Sequence, residues 1–311
     1  MNILFMGSSQ FAVAGLKALH ESRHDIIGVF TQQDKPKGRG YELSMTDVKK
    51  FASEVGYDVY TPSTLKDNAV SELLETLNPD VIVVISYGKI LPKYVLDYPK
   101  MGCINIHASL LPKFRGAAPI NFAIINGEKI TGITSMYMDI GIDTGDMILK
   151  ETVEITEDDN AGSLHDKLAS TGAKILIETL ELAEKNEVVR KKQIGESSYA
   201  PMIENEHKII DFNKTSLEIF NQIRGLSPVP TAFATVNNKK IKIYNSKIIK
   251  NEEFSEQLAV GHVVQNIKNR IIVKTSDGFI EILDLQNEGK RRMTASEFLL
   301  GNRIIKFDEI I

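Results

Sequence analysis

The chain has 311 residues, 42% of them hydrophobic, which is enough for two ordinary cores. No run nears the roughly 20 apolar residues a membrane span needs, and the opening MNILFMGSSQF has neither a basic n-region nor a cleavage pattern, so a cytoplasmic protein with no membrane partner is expected. The single cysteine, Cys103, excludes an intrachain disulfide and a cysteine-based zinc cluster, and the net charge of −4 divides into −8 over residues 1–189 (18 Lys and Arg against 26 Asp and Glu) and +4 over residues 190–311 (19 against 15).

Residues 2–6, NILFM, read as a buried first strand, and Gly7, Ser8 and Ser9 turn the chain into a helix over about residues 10–21. One glycine is not the G-x-G-x-x-G fingerprint, so a dinucleotide site is disfavoured. Residues 25–30 form a second strand. The following TQQDKPKGRGYEL holds Pro36, Gly38 and Gly40 without periodicity and reads as a long loop, of a kind that is commonly functional. Helices over about 46–55 and 66–77 flank a short strand at 58–60. Residues 80–86, DVIVVIS, are a β-branched run, as expected of a parallel strand covered on both faces. They leave through the apolar turn Tyr87-Gly88-Lys89-Ile90-Leu91-Pro92. Strands at 103–107, 131–139 and 146–155, a helix beginning near Pro119 and another over 161–185 complete this half. Strands alternating with helices specify an α/β domain with a doubly wound, mostly parallel sheet over residues 1–189.

From Val189 the pattern changes, and residues 190–205 read as a linker whose end, residues 199–203, is extended. A helix over 216–225 is followed by short strands with turn signals, among them a hairpin around Asn237-Asn238, then GHVVQ, RIIVKTSDGFIEILDLQ and a last short helix near 296–300. Such a run indicates a small OB-like β-barrel domain over residues 206–311. Lys239, Lys240, Lys242, Lys290, Arg291 and Arg292 fall on its hairpins, where cations serve either a polyanion or the solubility of a sheet edge.

The stretch that bears chemistry is CINIHASLLPKFRG, residues 103–116, with MDIGIDTGD, residues 138–146, beyond it. Residues two apart on a strand share a face, so Asn105 and His107 point the same way at a carboxyl end, where open α/β sheets hold ligands. An amide that donates to an oxyanion, an imidazole that moves a proton and the carboxylate of Asp143 make a set suited to acyl or formyl transfer. On spacing alone, a strand that ends in N-x-H is far more often a polar strand end than an active site. The Asp and Gly residues of 139–146 lack the EF-hand spacing and its terminal Glu, so no metal is expected.

N-I-H-A-S-L-L-P-K-F-R-G followed by D-I-G-I-D-T-G-D resembles the signature of the enzymes that use 10-formyltetrahydrofolate as formyl donor, and the chain from N-I-L-F-M-G to G-N-R resembles the methionyl-tRNA formyltransferase family. The resemblance implies a Rossmann-like formyltransferase domain followed by a tRNA-binding OB-like domain. It also implies 10-formyltetrahydrofolate as co-substrate, no metal, and transfer to the α-amino group of methionine on initiator methionyl-tRNA; a monomer is expected. It carries over Asn105 and His107 as donors to the oxyanion and Asp143 as acceptor of the amine proton. Ser109, Leu110, Leu111, Pro112, Tyr87, Gly88, Ile90, Leu91, Asp139 and Gly141 become the folate pocket. Lys35, Lys37 and Arg39, with Lys239, Lys240, Arg291 and Arg292, become contacts to tRNA phosphates.

Arg115 fits a structural ion pair that anchors its loop at least as well as a catalytic role. The chain departs from the family pattern at Ala108, at the weakly basic YELS after Gly40, and at Ser227-Pro228-Val229-Pro230, which lacks a tryptophan. A formyltransferase acting on an amino-sugar nucleotide or another small amine, such as glycinamide ribonucleotide, would share Asn105, His107 and Asp143, as would a hydrolase that discards formate. Residues 205–311 argue against the glycinamide ribonucleotide enzyme, and the KPKGRG loop with the basic second half against the amino-sugar one. A nonenzymatic nucleic-acid binder is a reading of a different class, which the intact triad discounts.

Overall fold

The computed structural model describes residues 1–37, 42–250, 254, 257–265 and 267–308, with the backbone alone for Lys37 and Glu42. The chain folds as two compact units. The first comprises Met1–Pro119, Ile130–Glu154 and His165–Ala200, and the second Ile120–Lys129, Ile155–Leu164 and Pro201–Ile311.

The first half runs β1 (Asn2–Gly7), α1 (Gln10–His20), β2 (Asp25–Phe30), β3 (Lys35–Lys37), β4 (Glu42–Ser44), α2 (Asp47–Glu54), β5 (Val59–Tyr60), α3 (Asn68–Leu77), β6 (Val81–Ile85), α4 (Lys93–Leu96), β7 (Cys103–His107), β8 (Arg115–Gly116), α5 (Pro119–Ile125), β9 (Ile130–Tyr137), β10 (Met147–Glu154), α6 (Ala161–Glu184) and β11 (Tyr199–Ala200). A seven-stranded sheet has the order β10-β9-β7-β6-β1-β2-β5. The strands from β7 to β5 pair in parallel, while β9 is antiparallel to β7 and to β10. The mostly parallel α/β sheet expected from alternating strands and helices is therefore present.

Its central strands are apolar because both faces are covered: every residue of β6 is buried. On one side Leu4, Met6, Phe30, Leu74, Ile82, Val84 and Val95 form a core, each such side chain contributing roughly 1.5–3 kcal/mol when removed from water. On α1, a Cβ added at Gly15 would stand 2.4 Å from Ile85 Cδ1, so helix and strand approach more closely than an alanine allows.

Residues 31–43 are not the continuous loop that their lack of periodicity suggests. β3 and β4 form a two-stranded antiparallel ribbon in which Lys35 faces Ser44 and Pro36 faces Leu43. Two strands of three residues are too short to leave an alternation in the sequence, and a proline is tolerated in a ribbon that leaves one edge unpaired. Gly38 to Tyr41, and with them Arg39, lie outside the described residues.

The second half adds α7 (Asn205–Lys208), α8 (Ser216–Leu226), β12 (Ala232–Val236), β13 (Lys239–Ile249), β14 (Ile271–Lys274), β15 (Phe279–Asn287), β16 (Met293–Thr294) and α9 (Ala295–Leu299). The sheet has the order β12-β13-β15-β14, with β16 on β15, and every pairing is antiparallel. Asn237 and Asn238 have φ of 51° and 61°, the left-handed pair that a tight hairpin with matching twist requires. Register shifts after Ile243 and Asn245 bend β13. The sheet thereby curls into the half-barrel that the OB-like reading anticipates, packed on Ile219, Ile223 and Leu226 of α8.

Candidate active site

β7 delivers Asn105 and His107 into a buried position, 9% and 6% exposed, and the loop after β9 brings Asp143 to meet them. Asn105 Nδ2 donates to Asp143 Oδ1 at 3.3 Å, His107 Nδ1 lies 3.5 Å from Asp143 Oδ2, and the backbone N–H of Gly116 donates to the same Oδ2 at 2.8 Å. His107 Nε2 is 2.9 Å from the carbonyl of Phe114. A carbonyl only accepts, so Nε2 carries a proton and Nδ1 is the ring nitrogen left for proton exchange with Asp143. Asn105 retains a second amide hydrogen beyond the one given to Asp143. Asn105 and His107, which spacing puts on one face, thus meet the carboxylate of Asp143.

The loop from β9 to β10 is built to present Asp143. Asp139 Oδ1 accepts from Gly141 N at 2.9 Å and from Thr144 Oγ1 at 2.5 Å, so Asp139 and Gly141 fold the loop on itself. A Cβ at Gly145 would stand 1.9 Å from the carbonyl of Tyr137, so only glycine passes there. Asp143 has a φ of 53°, a left-handed conformation that a non-glycine residue keeps only when its surroundings hold it.

The turn after β7 is equally fixed. Ser109 is fully buried; its hydroxyl donates to Lys113 O at 2.6 Å and its carbonyl accepts from Thr134 Oγ1 at 2.7 Å. Leu111 packs on Met136 and Met147, while Leu110 and Pro112 are half-buried. The Lys150 ammonium donates to Leu111 O, and burial, with the nearby Lys191, holds its pKa below the usual lysine range. In the turn after β6, Tyr87 is a core residue whose hydroxyl finds no hydrogen-bond partner, and burial pushes its phenol up to about 12. Its carbonyl accepts from Ser8 Oγ at 3.2 Å and Gln32 Nε2 at 2.9 Å. Gly88 has a φ of 75° and Leu91 is buried. Ile90, at 80% exposure, is the side chain of this turn that faces solvent.

The basic residues are dispersed. Lys35 donates to Gln32 Oε1 at 2.8 Å, and Lys37 is placed by its backbone in β3. In the second unit Lys239 is exposed. Lys240 lies 3.5 Å over the ring of Phe233, and burial, then Lys208 and Lys242, lower its pKa. Arg291 pairs with Glu297 at 3.0 Å, and Arg292 pairs with Asp284 at 2.6 Å while stacking on Tyr244. A cavity of about 590 Å³ in this unit, lined by residues including Phe122, Asn126, His207, Lys214 and Gln222, includes none of the residues named for the site. Among the described residues no His, Cys, Asp and Glu side chains gather in threes as a metal-binding group, and no helix is long and apolar enough to cross a membrane.

Residue-by-residue reading of the sequence overlooks Gly116 N as a partner of Asp143. It also overlooks Gln193, whose side chain reaches both Arg115 and the carbonyls of Asp143 and Gly145. Among the described residues Arg115 makes no ion pair; its guanidinium donates to the Gln193 amide oxygen.

The family model "Formyl transferase" matches residues 1–180 and "Formyl transferase, C-terminal domain" matches residues 202–303. The methionyl-tRNA formyltransferase of Alkaliphilus oremlandii is 48% identical over 307 residues, covering 98% of this chain and 98% of that protein. Among solved structures, the sugar 3N-formyl transferase WlaRD, determined in the presence of dTDP and 5-N-formyl-THF, is 25% identical with a TM-score of 0.66, covering 94% of this chain and 99% of that one. HypX from Aquifex aeolicus aligns with a TM-score of 0.67 at 19% identity, over 100% of this chain and 51% of its own length; the chain spans about half of HypX and shares its fold.

Proposed function

The chain belongs to the methionyl-tRNA formyltransferase family, and on that premise we propose that it moves the formyl group of 10-formyltetrahydrofolate to the α-amino group of methionine on initiator methionyl-tRNA, giving N-formylmethionyl-tRNA for translation initiation. The observation that carries the reading is the convergence of Asn105, His107 and Gly116 N on the carboxylate of Asp143.

The neutral amine attacks the formyl carbon, forming a C–N bond and placing negative charge on the formyl oxygen. The free hydrogen of the Asn105 amide and the Nδ1–H of a doubly protonated His107 donate to that oxygen. Asp143 accepts the proton of the attacking amine. Collapse of the tetrahedral intermediate breaks the bond to N10 of the folate, which takes up the proton held by Asp143 and leaves as tetrahydrofolate. The turns at residues 87–91 and 109–112, with Asp139 and Gly141, line the folate pocket. Phosphates of the tRNA meet Lys35, Lys37, Arg39, Lys239, Lys240, Arg291 and Arg292.

The amino-sugar reading is favoured by the fold shared with WlaRD at 25% identity, against 48% identity to a methionyl-tRNA formyltransferase. Purified protein given 10-formyltetrahydrofolate labelled in the formyl group, with methionyl-tRNA, a dTDP-amino sugar or glycinamide ribonucleotide as acceptor, separates the two. Label is expected on methionyl-tRNA alone; label on the sugar nucleotide, or release as formate, contradicts the proposal.

A further inference from the structure

Between the two matched family segments lies a polar stretch, residues 181–201, whose part from Lys191 to Ala200 is stitched along the loops that build the site. Lys191 exchanges backbone hydrogen bonds with Met147, at 2.8 and 2.9 Å. Farther on, Ser198 takes the N–H of Phe114 on its hydroxyl at 2.9 Å and that of Arg115 on its carbonyl at 2.8 Å, and β11 pairs with β8. Between these anchors, Gln193 Nε2 donates to the carbonyls of Asp143 at 2.8 Å and Gly145 at 2.9 Å. Its Oε1 accepts from Arg115 Nε at 3.0 Å and Nη2 at 2.6 Å.

We propose that Gln193 is a positioning residue for the transfer reaction, holding Asp143 in its left-handed conformation and tying it through Arg115 to the Gly116 N–H that binds the Asp143 carboxylate. The inference rests on the role given above to Asp143.

An amide has two hydrogens and two lone pairs, and all of them are used here. The reversed orientation would set the NH2 group against guanidinium donors and the oxygen against two carbonyls, so the environment admits one orientation only. The bonds close a ring: Gln193 to the Asp143 carbonyl, Asp143 Oδ2 to Gly116 N, and the neighbouring Arg115 back to Gln193. A non-glycine residue at a φ of 53° costs about 1–3 kcal/mol, which the surroundings must offset. Two hydrogen bonds from one rigid amide to the carbonyls at 143 and 145 supply that constraint. Gln193 touches no reacting group; it acts through Asp143.

Gln193→Glu keeps an acceptor for Arg115 but replaces both donors with lone pairs that face carbonyl oxygens. In the full-length protein it is expected to lower kcat for formyl transfer to methionyl-tRNA about 10- to 100-fold, the cost of a misplacement of order 1 Å. KM for both substrates should stay within about twofold, since uniform binding is untouched. Gln193→Leu, which adds no charge, should show the same split, so that a folding defect peculiar to the glutamate does not decide the matter. In an Asp143→Ala background, measured in single turnover, Gln193→Glu should cost less than about twofold, because nothing is left to position. Unchanged kcat in both single variants, or the same loss with Asp143 absent, overturns the inference. A wild-type protein inactive on methionyl-tRNA would overturn the functional proposal instead.

Discussion

Asn105 and His107 at the carboxyl end of β7 gather with the Gly116 N–H around a single carboxylate, whereas Arg291 and Arg292 of the second unit stand exposed in the turn between β15 and β16 beside acids of their own, Glu297 and Asp284. The cluster is pre-organised: Asn105 and His107 are buried, Asp143 is largely so, and each is held by a bond to a neighbour. The basic face is adaptable, because exposed ion pairs are worth about 0–1 kcal/mol and exchange one partner for another at little cost. Chemistry that discriminates a transition state needs the first kind of construction. Contact with a phosphate backbone, which offers a charge at every step, is served by the second.

The contrast breaks most sharply at Asn105. Asn105→Ala removes one donor to the oxyanion and is expected to lower kcat by about 10²–10³, or about 3–4 kcal/mol, with folate affinity unchanged; steady-state kinetics with a parallel titration of folate checks this. Near-normal turnover would place the cluster among polar strand ends.

Next in size is Arg224, which sharpens the comparison because it is a buried cation in the second unit. Its guanidinium donates to the carbonyls of Thr156 and Asp159 and to Asn221 Oδ1, and burial lowers its pKa. Arg224→Ala should destabilise the protein by about 1–3 kcal/mol, the desolvation cost of carbonyls deprived of a donor, read as a lower midpoint in urea. A loss no larger than that of Arg291→Ala would mean that burial makes no difference to these cations.

The exposed lysines should give smaller and salt-dependent effects. Lys239→Ala is expected to reduce the slope of log Kd for tRNA against log salt by about one unit, and Arg291→Ala by less, since Glu297 already offsets its charge. Equal slopes for wild type and Lys239→Ala would remove that strand from the contact surface. The smallest expected effect is at Cys103. Burial, with Asp97, pushes its thiol up to about 12, so the thiolate is scarce at pH 8, and a disulfide reagent should label the native protein negligibly and the unfolded chain fully. Rapid labelling of the native protein would show that β7, and the cluster on it, opens.

What could be read in advance follows from how local each cause is. The alternation of β7 puts Asn105 and His107 two residues apart, and the β-branched run of β6 declares a covered strand; both are written in neighbouring residues. The convergence of Asp143 with them spans 38 positions, so the sequence could name its carboxylate as a candidate but not bring it to the strand. Gln193 acts over 50 positions to Asp143 and 78 to Arg115, from a polar stretch whose composition resembles any linker. The ribbon of β3 and β4 is too short for periodicity to register. The grouping of residues 120–129 and 155–164 with the second unit arises from long-range packing, which no local pattern encodes. Tyr87 illustrates a subtler limit: the sequence reads its turn as packed and apolar, but not that the ring enters the core, that its carbonyl is taken up by Ser8 and Gln32, or that Ile90 faces solvent.

The most direct test of the account is single-turnover formyl transfer by the wild type and Asp143→Asn side by side, with binding of 10-formyltetrahydrofolate measured on both. The substitution preserves size and an acceptor for Gly116 N but removes the negative charge that takes the amine proton. The account expects wild-type folate affinity with transfer at least about 10²-fold slower, in the range that a positioned base supplies. Equal rates in the two proteins would contradict it, and would move the chemistry away from the carboxylate on which Asn105, His107 and Gly116 converge.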